Sequence, residues 1–106
     1  MSAATRPFTP DWGESSVASA SGAAATYPIT GEGQTLRIYN SGTGIVWFRL
    51  GDANVPNAGL VTDMPIPAGA VAYVTRNKDQ DTHINVVAVS GTHVLYITPG
   101  EGGRGD

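Results

Sequence analysis

Apolar residues in this chain come in short runs, rich in β-branched and aromatic types and separated by Gly, Pro, Asn and Asp. That punctuation belongs to strands and turns. It predicts strands at Leu36–Asn40, Ile45–Leu50, Val71–Arg76, His83–Val89 and His93–Thr98. Weaker candidates lie at Val17–Ala20, Ala24–Ile29 and Leu60–Ile66. Seven or eight strands in a chain of 106 residues predict an all-β fold, a small β-sandwich or jelly roll.

Alternation within each run assigns side chains to faces. Val46, Phe48 and Leu50 form the best core set of their strand, leaving Ile45, Trp47 and Arg49 on the other face. In the last strand Leu95 and Ile97 oppose Val94 and Tyr96, so both faces are apolar. Val86 and Val87 break alternation in the same way. A small sandwich has one interior, so such second faces are expected to be exposed or to meet another surface. The alternative is a register shifted by one residue, with Trp47 in the core.

Two turns look alike. Ser41-Gly42-Thr43-Gly44 leads into Ile45–Phe48, and Ser90-Gly91-Thr92-His93 leads into Val94–Ile97. Glycine and hydroxyl residues suit tight reversals, which predicts two hairpins. The chain ends differ from the middle. Fifteen of the first 26 residues are Ala, Ser or Thr, and Arg6 is followed by Pro7 instead of an apolar stretch, which is not a secretory signal. Residues 1–26 are expected to form an extended N-terminal arm with one short strand, 27–99 the sandwich, and 100–106 a flexible, glycine-rich tail.

Composition narrows the function. Fourteen Gly and seven Pro, with 14% charged residues, exclude a helical bundle. A net charge of −3 argues against nucleic acid as a partner, and no apolar run is long enough to insert in a membrane. Without cysteine there is no disulfide framework and no thiolate chemistry. A small domain with neither disulfides nor an evident metal gains stability by oligomerising, so a homo-oligomer is expected.

No catalytic constellation emerges, so the chain reads as a non-enzyme without cofactor or metal. The only histidines are His83 and His93, and a hairpin would hold them roughly 20 Å apart. Asn77-Lys78-Asp79-Gln80-Asp81 starts like a calcium loop, but Thr82 stands where the sixth-position glycine belongs and Ala88 where the closing glutamate belongs. The Gly-Glu-Gly triplets at 31–33 and 100–102 open no phosphate-binding helix. Arg104-Gly105-Asp106 matches a three-residue integrin motif that chance supplies often. Contact residues stand out more. Phe8 and Trp12 are isolated aromatics in a polar segment, suited to docking in a pocket of the same domain or a neighbour. Trp47 with Arg49, extended by Arg37 and Tyr39, is the candidate contact face.

Three stretches carry a resemblance: Ser41-Gly42-Thr43-Gly44-Ile45-Val46-Trp47-Phe48-Arg49-Leu50-Gly51, Thr62-Asp63-Met64-Pro65-Ile66-Pro67-Ala68-Gly69, and Thr92 through Gly102. They resemble small structural proteins of tailed bacteriophages, and the similarity runs from Leu36 onward. The resemblance implies a β-sandwich or jelly-roll virion component. Its nearest functional match is a capsid decoration or cement protein on the outer capsid surface, binding the major capsid protein and assembling with itself as a trimer. A tail, baseplate or head–tail joining protein is the alternative. A carbohydrate-binding module using Trp47, Tyr39, Tyr73 and Tyr96 is the reading from another class.

Overall fold

The computed structural model describes residues 7–102, and over them the chain is all-β, without a helix. Nine strands follow in order: β1 (Thr9–Pro10), β2 (Ser16–Ala20), β3 (Ala25–Pro28), β4 (Thr35–Asn40), β5 (Val46–Gly51), β6 (Met64–Ile66), β7 (Val71–Thr75), β8 (His83–Ala88) and β9 (His93–Glu101). They form two antiparallel sheets. One runs β2-β9-β4-β7, with β1 continuing the β2 edge of β9, and the other runs β3-β8-β5-β6.

The pairings are nested. β2 pairs with β9, β3 with β8, β4 with β7 and β5 with β6, all antiparallel. That is the order produced when one long eight-stranded hairpin rolls up into two sheets, the jelly roll. The expected class is borne out: the protein is a small β-sandwich.

Alternation explains the interior. Ala18, Ala20, Leu36, Ile38, Leu95 and Ile97 project inward from the first sheet. Val46, Phe48, Ile66, Ile84, Val86 and Ala88 meet them from the second, with Leu50 partly buried beside them. The core set expected for β5 is therefore the observed one. The strand containing Met64–Ile66 is shorter than expected, because Gly59–Asp63 forms a turn held by two amides on the Gly59 carbonyl.

Three expectations are corrected. The predicted arm is, from Thr9, part of the sandwich: Ser16–Ala20 pairs along β9 and buries Ala18 and Ala20. Small side chains that look like linker composition are here what fits an inward-facing edge strand. At the other end β9 runs on to Glu101, into the expected tail, while Arg104-Gly105-Asp106 lies outside the described residues.

The two look-alike turns are not hairpins. Each carries the chain from one sheet to the other, β4 to β5 and β8 to β9. Local turn chemistry serves a sheet-to-sheet arch as well as a hairpin, and the nested pairing decides between them. The two arches pack together around the His93 ring, whose Nδ1 accepts from the Thr43 amide (3.2 Å). An amide can only donate, so Nε2 carries the proton and donates to the Ser90 carbonyl (2.9 Å). A Cβ at Gly42 would overlap this ring.

Arg76 closes the opposite end. Buried, it donates from Nε to the Gly33 carbonyl (2.8 Å), from Nη2 to Gly31 (2.8 Å) and from Nη1 to Asp81 (3.3 Å). Desolvation lowers its pKa from the usual arginine value, and Glu32, Asp11 and Asp81 oppose that shift.

Candidate interaction face

The outer face of the β2-β9-β4-β7 sheet is built from the residues that alternate with the core set. Register places Val17, Tyr96, Tyr39 and Val71 in one row across the four strands. Thr98, Arg37 and Tyr73 form the next row. Tyr39 and Tyr96 stack with centroids 6.3 Å apart and planes 23° from parallel. Phe8 lies edge-on to Tyr73 at 5.5 Å. It can do so because Gly100 has no side chain: a Cβ there would strike the Phe8 ring and the Thr9 carbonyl. Tyr73 and Tyr96 are each 45% exposed, and nothing else in the described chain covers them.

Between β1 and β2 the chain leaves the edge and returns, in a bulge spanning 11–15. Trp12 sits on it, 85% exposed. The bulge is tied down at several points. The Asp11 amide donates to the Pro99 carbonyl (2.8 Å), and the Asp11 carboxylate accepts from the amides of Glu32 (3.2 Å) and Gly33 (2.8 Å). Thr30 donates its hydroxyl to the Glu14 carbonyl (2.7 Å), and the hydroxyls of Ser15 and Thr98 share a bond of 2.8 Å. The anchored bulge thus holds a large indole out in solvent. Phe8, Trp12 and Arg37 line one open cavity of about 340 Å³. No carboxylate pairs with Arg37 among the described residues.

Three of the six expected contact residues, Phe8, Trp12 and Arg37, thus meet at one cavity, and Tyr39 lies on the same face. Trp47 and Arg49 do not join them. β4 and β5 belong to opposite sheets, so the expected continuous face is divided. Trp47 does point outward, but the β5–β6 connection (52–63) folds over it and leaves it 8% exposed against Val87 and Ala58. That connection is clamped by buried Asn85, which accepts from the Ala58 amide (2.7 Å) and donates to Thr26 Oγ1 (2.8 Å) and Asn57 Oδ1 (3.2 Å). Arg49 faces Asp63 of the same connection at 3.7 Å.

Val17 and Val71 were missing from the expected face, and Tyr73 and Tyr96 entered it only in the carbohydrate-binding reading. The signal was present in Val71-Ala72-Tyr73-Val74, where the larger ring alternates with the residues that pack on the core.

The polar features are structural. Asn77–Asp81 closes on itself: Asp81 Oδ2 accepts from the Asn77 amide (3.0 Å) and Asn77 Oδ1 from the Asp79 amide (3.1 Å). Among the described residues no group of three His, Asp or Glu side chains is placed to hold a metal ion. His83 and His93 stand on different sheets. Among the described residues no helix is long and apolar enough to cross a membrane. Comparison with known protein families, curated proteins and solved structures returned no match.

Proposed function

We propose that this protein is a structural virion component, a capsid decoration or cement protein of a tailed bacteriophage that docks on the assembled head through the outer face of its β2-β9-β4-β7 sheet. The observation that carries this reading is the uncovered aromatic face, with Trp12 displayed beside it on an anchored bulge. Contiguous exposed apolar surface on a small protein marks a contact site, and aromatic residues with arginine are the side chains that anchor such contacts. The sequence resemblance from Leu36 onward supports the virion assignment, and jelly rolls are common in capsid proteins. The fold alone is shared with lectins and cupins, so it supports the role only by analogy.

Quantitative mass spectrometry of purified virions from the source phage tests the reading. Hundreds of copies, in a simple ratio to the major capsid protein, are expected. A few dozen or fewer would move the protein to the tail, baseplate or neck, and absence would overturn the virion role.

One observation favours a second reading. Tyr39, Tyr73 and Tyr96 share a single open sheet face, as in a carbohydrate-binding module that stacks sugar rings on aromatic side chains. A glycan array probed with the purified protein separates the two. Binding that is lost in Tyr96→Ala would favour the module.

A further inference from the structure

Among the described residues every lysine and arginine but one has a partner. Arg49 faces Asp63 at 3.7 Å, Lys78 reaches Glu32 at 3.3 Å, and Arg76 donates to three carbonyls. Arg37 is the exception. Half-buried on the outer side of β4, its guanidinium makes no ion pair, hydrogen bond or ring contact with the described residues. An arginine brings five N–H donors in a rigid fork, and leaving them unmatched beside apolar walls is costly.

The cavity that Arg37 lines holds further unspent donors. Thr98 stands directly opposite Arg37 in the β4–β9 ladder, and its hydroxyl is bonded to that of Ser15 (2.8 Å). One proton makes that bond, so whichever hydroxyl accepts keeps its own proton to give away. Trp12 adds an exposed indole N–H, and Phe8 an apolar wall. The one carboxylate in the lining, Asp11, has its Oδ2 turned to the amides of Glu32 and Gly33.

Donors around a cation call for an anionic acceptor. The group that offers two adjacent oxygens and one negative charge to a guanidinium is an ionised carboxylate, which arginine takes bidentately. A phosphate fits less well, because it brings nearly two charges to a single arginine with the Asp11 carboxylate beside it. The volume, about 340 Å³, accommodates an acidic side chain with an apolar neighbour.

We propose that this cavity is a carboxylate-binding pocket, and that an aspartate or glutamate side chain of the protein partner enters it. Arg37 supplies the counter-charge and the paired donors, the Ser15–Thr98 pair gives one more hydrogen bond, and Phe8 and Trp12 pack on the apolar stem. The peptide source of the carboxylate rests on the proposed function, which makes the partner a protein. The pocket chemistry does not.

Two experiments separate these parts. In the first, the isotope-labelled full chain is titrated with N-acetyl-glutamate α-amide, with its glutamine counterpart and with glucuronate, and followed by NMR. Saturable shifts of the Arg37 Nε–H and the Trp12 indole N–H are expected with the glutamate compound, at a roughly millimolar midpoint. They should be absent with glutamine and lost in Arg37→Gln. Equal response to glutamine, or no saturable response, would overturn the pocket. Tighter binding of glucuronate would transfer it to a sugar acid and overturn the peptide assignment.

The second experiment measures co-sedimentation with phage heads that lack this protein. Arg37→Gln should bind roughly tenfold more weakly than wild type, or worse, with an unchanged thermal transition. Arg37→Lys keeps the charge but loses the fork, so it should fall between the two, and it serves if the glutamine variant does not fold. Full binding by Arg37→Gln would overturn the pocket's part in docking and leave the virion role standing. Failure of wild type to bind heads would overturn the virion role and the peptide source together, with the pocket decided by the titration.

Discussion

The two sheets of this sandwich bury their inner faces alike and treat their outer faces oppositely. Over the β3-β8-β5-β6 sheet, the 52–63 connection folds down, and Asn85 holds it with two hydrogen bonds, to Ala58 and Asn57, so that Trp47 is sealed beneath. Over the β2-β9-β4-β7 sheet no comparable segment of the described residues folds down, although Phe8 packs on Tyr73 and Thr35 is buried at that end. Tyr39, Tyr73, Tyr96, Val17 and Val71 remain as the outermost layer, and the nearby bulge lifts Trp12 into solvent. One chain thus carries two tryptophans with opposite duties. Burying apolar area stabilises the fold at roughly 25 cal/mol per Å², so a chain this small that leaves one aromatic face bare gives up stability it could have had. Under the proposed function, such a face is kept for a partner.

The sharpest way to break this comparison is Trp47→Ala. Removing a buried indole and leaving a void should destabilise the protein by about 3–5 kcal/mol, read from urea unfolding. Somewhat smaller is Asn85→Ala, which orphans the Ala58 amide and frees the covering connection. A loss of about 2–3 kcal/mol is expected, together with a red shift of Trp47 fluorescence in a Trp12→Phe background. On the bare face, Tyr96→Ala loses a half-exposed stack with Tyr39, and about 1 kcal/mol is expected. Trp12→Ala should leave stability within about 0.5 kcal/mol. A Trp12 substitution as costly as the Trp47 one would mean that the displayed indole is core after all. The smallest effect is expected at Thr35, on the outer side of β4, whose hydroxyl is buried with no hydrogen-bond partner among the described residues, so Thr35→Val should be neutral or stabilising by less than about 0.5 kcal/mol.

What the sequence made legible follows from what is local. Alternation in Val46-Trp47-Phe48-Arg49-Leu50 correctly separated inward from outward side chains, because a strand's period is a property of its own backbone. The same pattern could not say that Trp47 is covered. The connection that covers it is irregular and without periodicity, and the clamp joins residues as far apart as Thr26, Asn57 and Asn85.

The turns at 41–44 and 90–92 were legible as turns and misread as hairpins, since the choice of partner strand is non-local. Phe8 and Trp12 stood out as aromatics without apolar neighbours. The anchoring that turns their segment from a loose arm into a fixed bulge depends on Asp11 reaching Glu32 and Gly33, across 21 and 22 residues of sequence. Val17–Ala20 was legible as a strand, but its small residues hid its place in the sandwich, because Ala18 and Ala20 bury little area while filling the sheet edge.

The account's central claim is that the bare face, and not the covered one, is the binding face. Under the proposed virion role, co-sedimentation with phage heads that lack this protein tests it most directly. Wild-type protein is compared with a Trp12→Ala/Tyr96→Ser double variant on the bare face and with Arg49→Ala on the covered one. The account predicts that wild type and Arg49→Ala pellet with the heads while the double variant, still folded, stays in the supernatant. Retained binding by the double variant, or loss of binding by Arg49→Ala alone, would contradict it.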